Sequence, residues 1–234
     1  MIETLHHLTL PLAALGEYET LLGRRAVDGR LRTNNAGLSF DGNASGLASM
    51  TFATADLDKA ANLLERRAVA TTRDGAAIAL SAHGVAIRLI AKFDEPSLPA
   101  VDDEAAAVNA LDHVVVRSPN PERAIAFYAG RLGLDLRLDR SNPDWGQRLL
   151  FFRCDDLVVE IAHDLRQGVS DAPDLLWGLS WRVADIVKAN ARLKAAGIEV
   201  SDPRDGRRPG SQVFIVKNGT AGVPTIVIGG IGRW

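Results

Sequence analysis

The chain has 234 residues, 47% of them hydrophobic and 24% charged, and a formal net charge of −2. That length accommodates two ordinary domains or one large one, the composition is that of a soluble globular protein, and the near-neutral balance gives no reason to expect nucleic acid or a membrane as partner. The single cysteine, Cys154, excludes an intrachain disulfide and a thiolate metal cluster; residues 1–7 lack a basic stretch followed by a long apolar run, so no signal peptide or membrane span is predicted and a reducing cytoplasm is the expected compartment.

In chain order, residues 5–10 read as a strand and 15–22 as a short helix stopped by Gly23. Extended stretches follow at 30–33 and 37–40. A second unit starts with a strand at 48–52; Asp56 caps a helix over 57–66, and 77–80 and 85–90 are strands. Residues 93–108 carry Pro96, Pro99, acids at 102–104 and an alanine run, which predicts a linker, or a linker leading into a short helix.

The second half repeats the order more clearly. Leu111 to Arg117 is an apolar, β-branched run and reads as a buried strand. Asn120-Pro121-Glu122 supplies an N-cap, a proline at the first helical position and an acid in the first turn. Ile125, Tyr128 and Leu132 then share one helical face, and Gly133 closes the helix. Extended stretches follow at 134–139, 148–153 and 157–162. The same order returns once more: a strand at 179–183, Asp185 capping a helix with Ile186, Ala189, Leu193 and Ala196 on one side, Gly197 ending it, and extended stretches at 198–201, 212–217 and 225–228.

The pattern predicts an α+β fold of four βαβββ modules in two pairs, with residues 1–92 forming a degenerate first pair, 93–108 a linker and 109–234 a second pair. One module alone leaves an open sheet edge and an uncovered concave face. Pairing two modules closes the sheet into a cup, and inward side chains from every strand then share one hollow.

Candidate residues follow from strand parity. His113, Val115 and Arg117 share one face of their strand, and Val158, Glu160 and Ala162 share one face of theirs. A histidine and a glutamate directed into a common hollow suggest acid–base chemistry or part of a metal site; a neutral histidine bonded to a carboxylate reads the same residues without a ligand. His163 has the opposite parity, His83 sits in a hairpin and is expected in solvent, His7 reads as a core histidine, and His6 alternates with it. Arg117 and Arg182 hold equivalent positions, where they clamp a carboxylate or phosphate, or make a structural salt bridge. Ser180 belongs with Arg182 on the cup side, and Trp181 packs beneath. Trp145, between two strands, can stack on a flat substrate or plug the cup. The basic segment 204–210 occupies the matching loop of the fourth module. Cys154 stands beside two acids, which disfavours a thiolate.

The strings Leu111-Asp112-His113-Val114-Val115-Val116, Tyr128-Ala129-Gly130-Arg131-Leu132-Gly133-Leu134 and Leu157-Val158-Val159-Glu160-Ile161 resemble the vicinal oxygen chelate superfamily, which contains glyoxalase I, extradiol dioxygenases and bleomycin-resistance binding proteins. The resemblance is good over 108–230 and weaker over 1–92. It implies the glyoxalase/bleomycin resistance/dihydroxybiphenyl dioxygenase-like fold, a small-molecule substrate or ligand of anionic or aromatic character, and metal ligands on the first and fourth strands of each module. His113 and Glu160 match those positions in the third module. The fourth offers Gly178 with Ile226 or Val227, the second Ser49 and Arg88, the first His7 with Ser39 or Phe40. A divalent cation (Zn, Fe, Mn or Ni) and a site without one both stay open, and a homodimer is compatible with either.

The resemblance supports two readings. The first is a glyoxalase- or lyase-like enzyme with Glu160 as base or ligand, His113 as ligand or partner, and Arg117, Arg182, Trp145 and Ser180 at the substrate. The second is a non-catalytic binding protein of the bleomycin-resistance type, or a dioxygenase-like protein without its iron triad. Oxygen activation needs the full triad and fits less well than proton transfer.

Overall fold

A computed structural model describes residues 2–93 and 97–231. Pro96 of the expected linker lies outside the described residues. The fold is α+β and consists of two mixed sheets. The first holds β1 (Thr4–Pro11), β2 (Arg30–Arg32), β3 (Gly37–Asp41), β4 (Ser49–Thr54), β5 (Thr72–Asp74), β6 (Ala77–Ala82) and β7 (Val85–Ala91), with α1 (Leu15–Leu22) and α2 (Leu57–Arg66). The second holds β8 (Val108–Arg117), β9 (Asp135–Asn142), β10 (Gln147–Cys154), β11 (Leu157–Asp164), β12 (Leu175–Val183), β13 (Arg204–Asp205), β14 (Gln212–Val216) and β15 (Thr225–Gly229), with α3 (Pro121–Ile125) and α4 (Ile186–Ala195).

Strand order is β2-β3-β1-β4-β7-β6-β5 in the first sheet and β13-β14-β15-β12-β8-β11-β10-β9 in the second. In each, the first strands of two modules lie antiparallel at the centre, β1 against β4 and β8 against β12. Each is flanked by the last strand of its own module in parallel, as β11 flanks β8 and β15 flanks β12. Modules therefore pair along the chain, within each half.

The expected caps form. The side chains of Asp56, Asn120 and Asp185 accept from backbone N–H groups of the following turn, and Pro121 opens α3. Two elements differ from expectation. The helix after Pro121 turns π-helical over Ala126–Arg131, with Leu132 N–H donating to Phe127 five residues back. The wider turn goes with burial of both neighbours Phe127 and Tyr128, which an ordinary helix separates. The predicted strand at 198–201 is reduced to a single bridge between Val200 and Val216, and the edge strand falls on Arg204–Asp205 instead. Pro203, which has no N–H to donate, interrupts the run.

Apolar residues on one face of each sheet, with the helices that cover it, join into one continuous hydrophobic cluster that includes Phe52, Tyr18, Tyr128, Phe152, Trp181 and Phe214. Polar contacts also cross between the halves. Asn35 pairs with the backbone of Leu111 in both directions, and Arg192 donates to the carbonyls of Thr20 and Leu21 at the end of α1. The opposite face of the second sheet is left for the site. Among the described residues, no helix is long and apolar enough to cross a membrane.

Candidate functional site

The face of the second sheet away from the helices is built from rows of paired residues. One row runs Leu138, Phe151, Glu160, Val115, Gly178; the next runs Val158, His113, Ser180, Ile226, Ile215; a third runs Arg140, Leu149, Ala162, Arg117, Leu175. The sheet is strongly curled. Arg207, in the turn after edge strand β13, has its guanidinium 4.0 Å from the ring centre of Trp145, in the turn after the opposite edge strand β9. Turns at the two edges of this eight-stranded sheet thus meet, and the rows line a cup. Its wall is mostly apolar; the ionisable pair near its floor is His113 and Glu160.

A β-bulge creates the geometry around that pair. Ser180 pairs with His113 and Trp181 with Leu111, so Asp112 has no residue opposite. Strict alternation would send Asp112 to the apolar side; the bulge instead lays its carboxylate beside the next residue, with Oδ2 2.8 Å from His113 Nδ1. A carboxylate only accepts, so Nδ1 carries the hydrogen and Nε2 points onward. Glu160 Oε2 lies 3.5 Å from that Nε2, and both side chains are 13% exposed. The other oxygen of Asp112 is 3.9 Å from Arg182 Nε, and Arg182 is fixed in turn by Asp156, at 2.6 Å through Nη2. Burial is the largest single influence on the His113 imidazole and pushes its pKa down. The Glu160 carboxylate and the hydrogen bond and charge of Asp112 outweigh it, and the net pKa lies above the ordinary histidine value.

Sequence parity thus brings His113 and Glu160 together. Arg117 stays exposed at the far end of the same face, its guanidinium 4.1 Å over the Trp177 ring. It lines a cavity of about 360 Å³ with Ser118, Gln147, Ala162 and His163. Ala162, on the same face of β11, stands two residues from Glu160, which does not itself line this cavity. Arg182 lies at the other end of the sheet, buried, and committed to Asp156 and to the Leu111 and Asp156 carbonyls. Ser180 is fully buried beside His113, with an Oγ that has no hydrogen-bond partner among the described residues. Trp145 is 39% exposed at the rim.

His163 is buried and bonded to the Ser118 carbonyl, away from the cup. His83, expected in solvent, is half-buried against Phe127, because its hairpin turn docks on the second half and accepts from Asp174 N–H. His6 and His7, expected on opposite faces, touch at 2.7 Å through their Nδ1 atoms, since a bulge in β1 sits at His6 as one sits at Asp112 in β8. Arg88 pairs with Asp74 at 2.7 Å. Burial, then Asp155, pushes the Cys154 thiol up to about 12. Parity missed Asp112 and Asp156. The acid next to His113 was visible in the sequence, but only an acid at an apolar-facing strand position hinted at the bulge.

A divalent cation would need more donors than the cup offers. His113 and Glu160 supply two donors, and three is the usual minimum for a catalytic centre. Register assigns Ile226 and Gly178 to the equivalent fourth-module positions. Ile226 has no donor, and Gly178 can carry no side chain there: a Cβ would sit 2.9 Å from the Pro224 carbonyl oxygen. Among the described residues, no three His, Cys, Asp or Glu side chains gather to hold a metal ion. These residues do not fit a three-ligand centre.

Residues 110–222 match the family model of the Glyoxalase/Bleomycin resistance protein/Dioxygenase superfamily. An ethylmalonyl-CoA/methylmalonyl-CoA epimerase of Cereibacter sphaeroides is 28% identical over 118 residues, which cover 46% of this chain and 88% of that protein. The structure of BphC, a halotolerant catechol dioxygenase, matches at a TM-score of 0.74 with 12% identity, over 100% of this chain and 89% of that one. That likeness is one of fold. A methylmalonyl-CoA epimerase from Mycobacterium tuberculosis matches at 0.45 with 21% identity, over 53% of this chain and 90% of that one.

Proposed function

We propose, for a chain whose residues 110–222 match the model of the Glyoxalase/Bleomycin resistance protein/Dioxygenase superfamily, an enzyme that moves a proton at a carbon next to a carbonyl, an isomerase- or lyase-type reaction on a small molecule. The observation that carries this reading is the His113–Glu160 pair, 3.5 Å apart in an otherwise apolar cup.

Glu160 is the base. Taking a proton from a carbon beside a carbonyl throws negative charge onto the carbonyl oxygen, which a hydrogen-bond donor aimed at that oxygen stabilises. His113 is that donor: its Nε2 faces the cup, and its raised pKa favours the imidazolium. The proton returns from Glu160 to the carbon or to an atom conjugated with it, or it stays on Glu160 while a leaving group departs with its electron pair from the neighbouring atom. Arg117, on the same strand face as His113 and stacked on Trp177, orients an acidic group of the substrate. The likeness to an epimerase over most of that protein's length supports a proton-transfer class. With two donors in the cup, no step is routed through a metal ion, and extradiol oxygen chemistry lacks its third ligand.

The test is incorporation of deuterium from D₂O at the α-carbon of a panel of carbonyl and thioester acids, followed by NMR. Glu160→Gln should slow exchange by roughly 10²–10⁴-fold, the usual contribution of a general base. Exchange that survives unchanged in Glu160→Gln defeats the assignment, as does a wild-type protein inert to every compound. Leu138, Phe151 and Ile215 on the cup wall favour one second reading, a binding protein that sequesters an apolar compound. In that case wild type and Glu160→Gln bind alike and neither exchanges.

A further inference from the structure

We infer that the mouth of the cup is a binding site for an amphiphilic anion, in which Arg140 and Arg207 hold a carboxylate or phosphate against the indole of Trp145 while the apolar body enters the cup. This rests on the cup being a ligand site, as proposed above, and adds the chemical class of the ligand and the groups that select it.

Three observations converge. First, the guanidinium carbons of Arg140 and Arg207 lie 5.2 Å and 4.0 Å from the ring centre of the same tryptophan. Both arginines are exposed, and among the described residues neither makes an ion pair. Several other arginines of the second half find acids: Arg148 holds Asp139 and Glu122, Arg166 holds Asp164, and Arg182 holds Asp156. Two cations brought onto one indole without an anion repel each other, and a bound anion would relieve that repulsion.

Second, the pair comes from the two edges of the sheet. Arg140 shares its cross-strand row with Ala162 and Arg117 on the cup face, and Arg207 arrives from the turn at the opposite sheet edge. The two arginines therefore converge on one point of the rim, where the two edges of the sheet approach.

Third, the large side chains on the wall near that rim are apolar and incompletely covered: Leu138 is 46% exposed and Ile215 42%. A purely ionic ligand would gain nothing from them, whereas an acyl or alkyl chain would bury them. A planar guanidinium resting on an indole is also held ready to present its N–H edge to a carboxylate or phosphate.

The experiment is titration of the full-length protein, followed by tryptophan emission and by calorimetry, with octanoate and octyl phosphate as anionic probes and octanamide as the neutral one. Octanoate and octyl phosphate should saturate a signal that Trp145→Phe loses, with octanamide at least tenfold weaker. Arg140→Ala and Arg207→Ala should each weaken the anions about tenfold and leave octanamide unchanged. If only octyl phosphate binds, the ligand is a phosphate; if only octanoate binds, it is a carboxylate. Equal affinity for octanamide, or an undiminished affinity in Arg207→Ala, overturns the inference. Wild-type protein that binds both anions yet exchanges no α-deuterium would overturn the catalytic reading alone and leave this result intact.

Discussion

His7 and His113 stand at matching positions in their modules, yet their surroundings push them in opposite directions. His113 has two carboxylates beside it. Among the described residues none stands beside His7: burial first, then the charges of His6, Arg30 and Arg88, lower its pKa to about 3. An unfolded His7 takes up a proton near its ordinary value of 6.5, while the folded protein refuses it until far lower pH. Between those limits the unfolded chain holds the extra proton. The contribution of His7 to stability is therefore full above pH 6.5 and is lost as the pH falls toward 3. His7→Gln should flatten the acid limb: urea midpoints at pH 7 and pH 4.5 should differ less in the variant than in wild type. An equal drop in both proteins would show that another group controls that limb.

At the scale of elements, the departures from simple strand alternation do the positioning. The bulge at Asp112 turns a would-be core acid into the partner of His113. Between β12 and β15 the constraint is close approach. Leu179 N–H donates to the Pro224 carbonyl at 2.9 Å, and the same oxygen occupies the space a side chain at Gly178 would need. Gly178→Ala should cost about 1–3 kcal/mol, the usual range for forcing extra atoms into a packed site, measured by urea unfolding. A loss under about 0.3 kcal/mol would mean that the strands part easily. For the same reason, Gly178→His does not rebuild a missing ligand without moving β15.

For the molecule as a whole, the two halves share one apolar cluster and a set of polar ties, of which Arg192 is the most concentrated. It donates to the Ala106, Thr20 and Leu21 carbonyls at 3.1, 2.6 and 2.7 Å, and its guanidinium lies over the left-handed Gly23 that ends α1. The last carbonyls of α1 thus find their donor in the other half. Arg192→Ala should cost roughly 1.5–3 kcal/mol, the range for hydrogen bonds to a charged group, and lower Tm by roughly 3–12 °C for a chain of this size. An unchanged Tm would show that these bonds are exchanged for water at no loss.

Much of the architecture was legible because its signals are local. A cap at Asn120 or Asp185 needs only its own turn, and the period-two pattern put His113 and Glu160 on one face each before any coordinates. The repeated order of strand, helix and strands likewise required no long-range information. What the tertiary structure decided was which surfaces meet. The parallel register that sets Val115 beside Glu160, the bulge that enlists Asp112, the commitment of Arg182 to Asp156, and the meeting of Arg207 with Trp145 all join residues far apart in the chain. Register and curl follow from packing apolar faces under the helices, and a linear pattern of apolar and polar residues states which face is buried without stating against what.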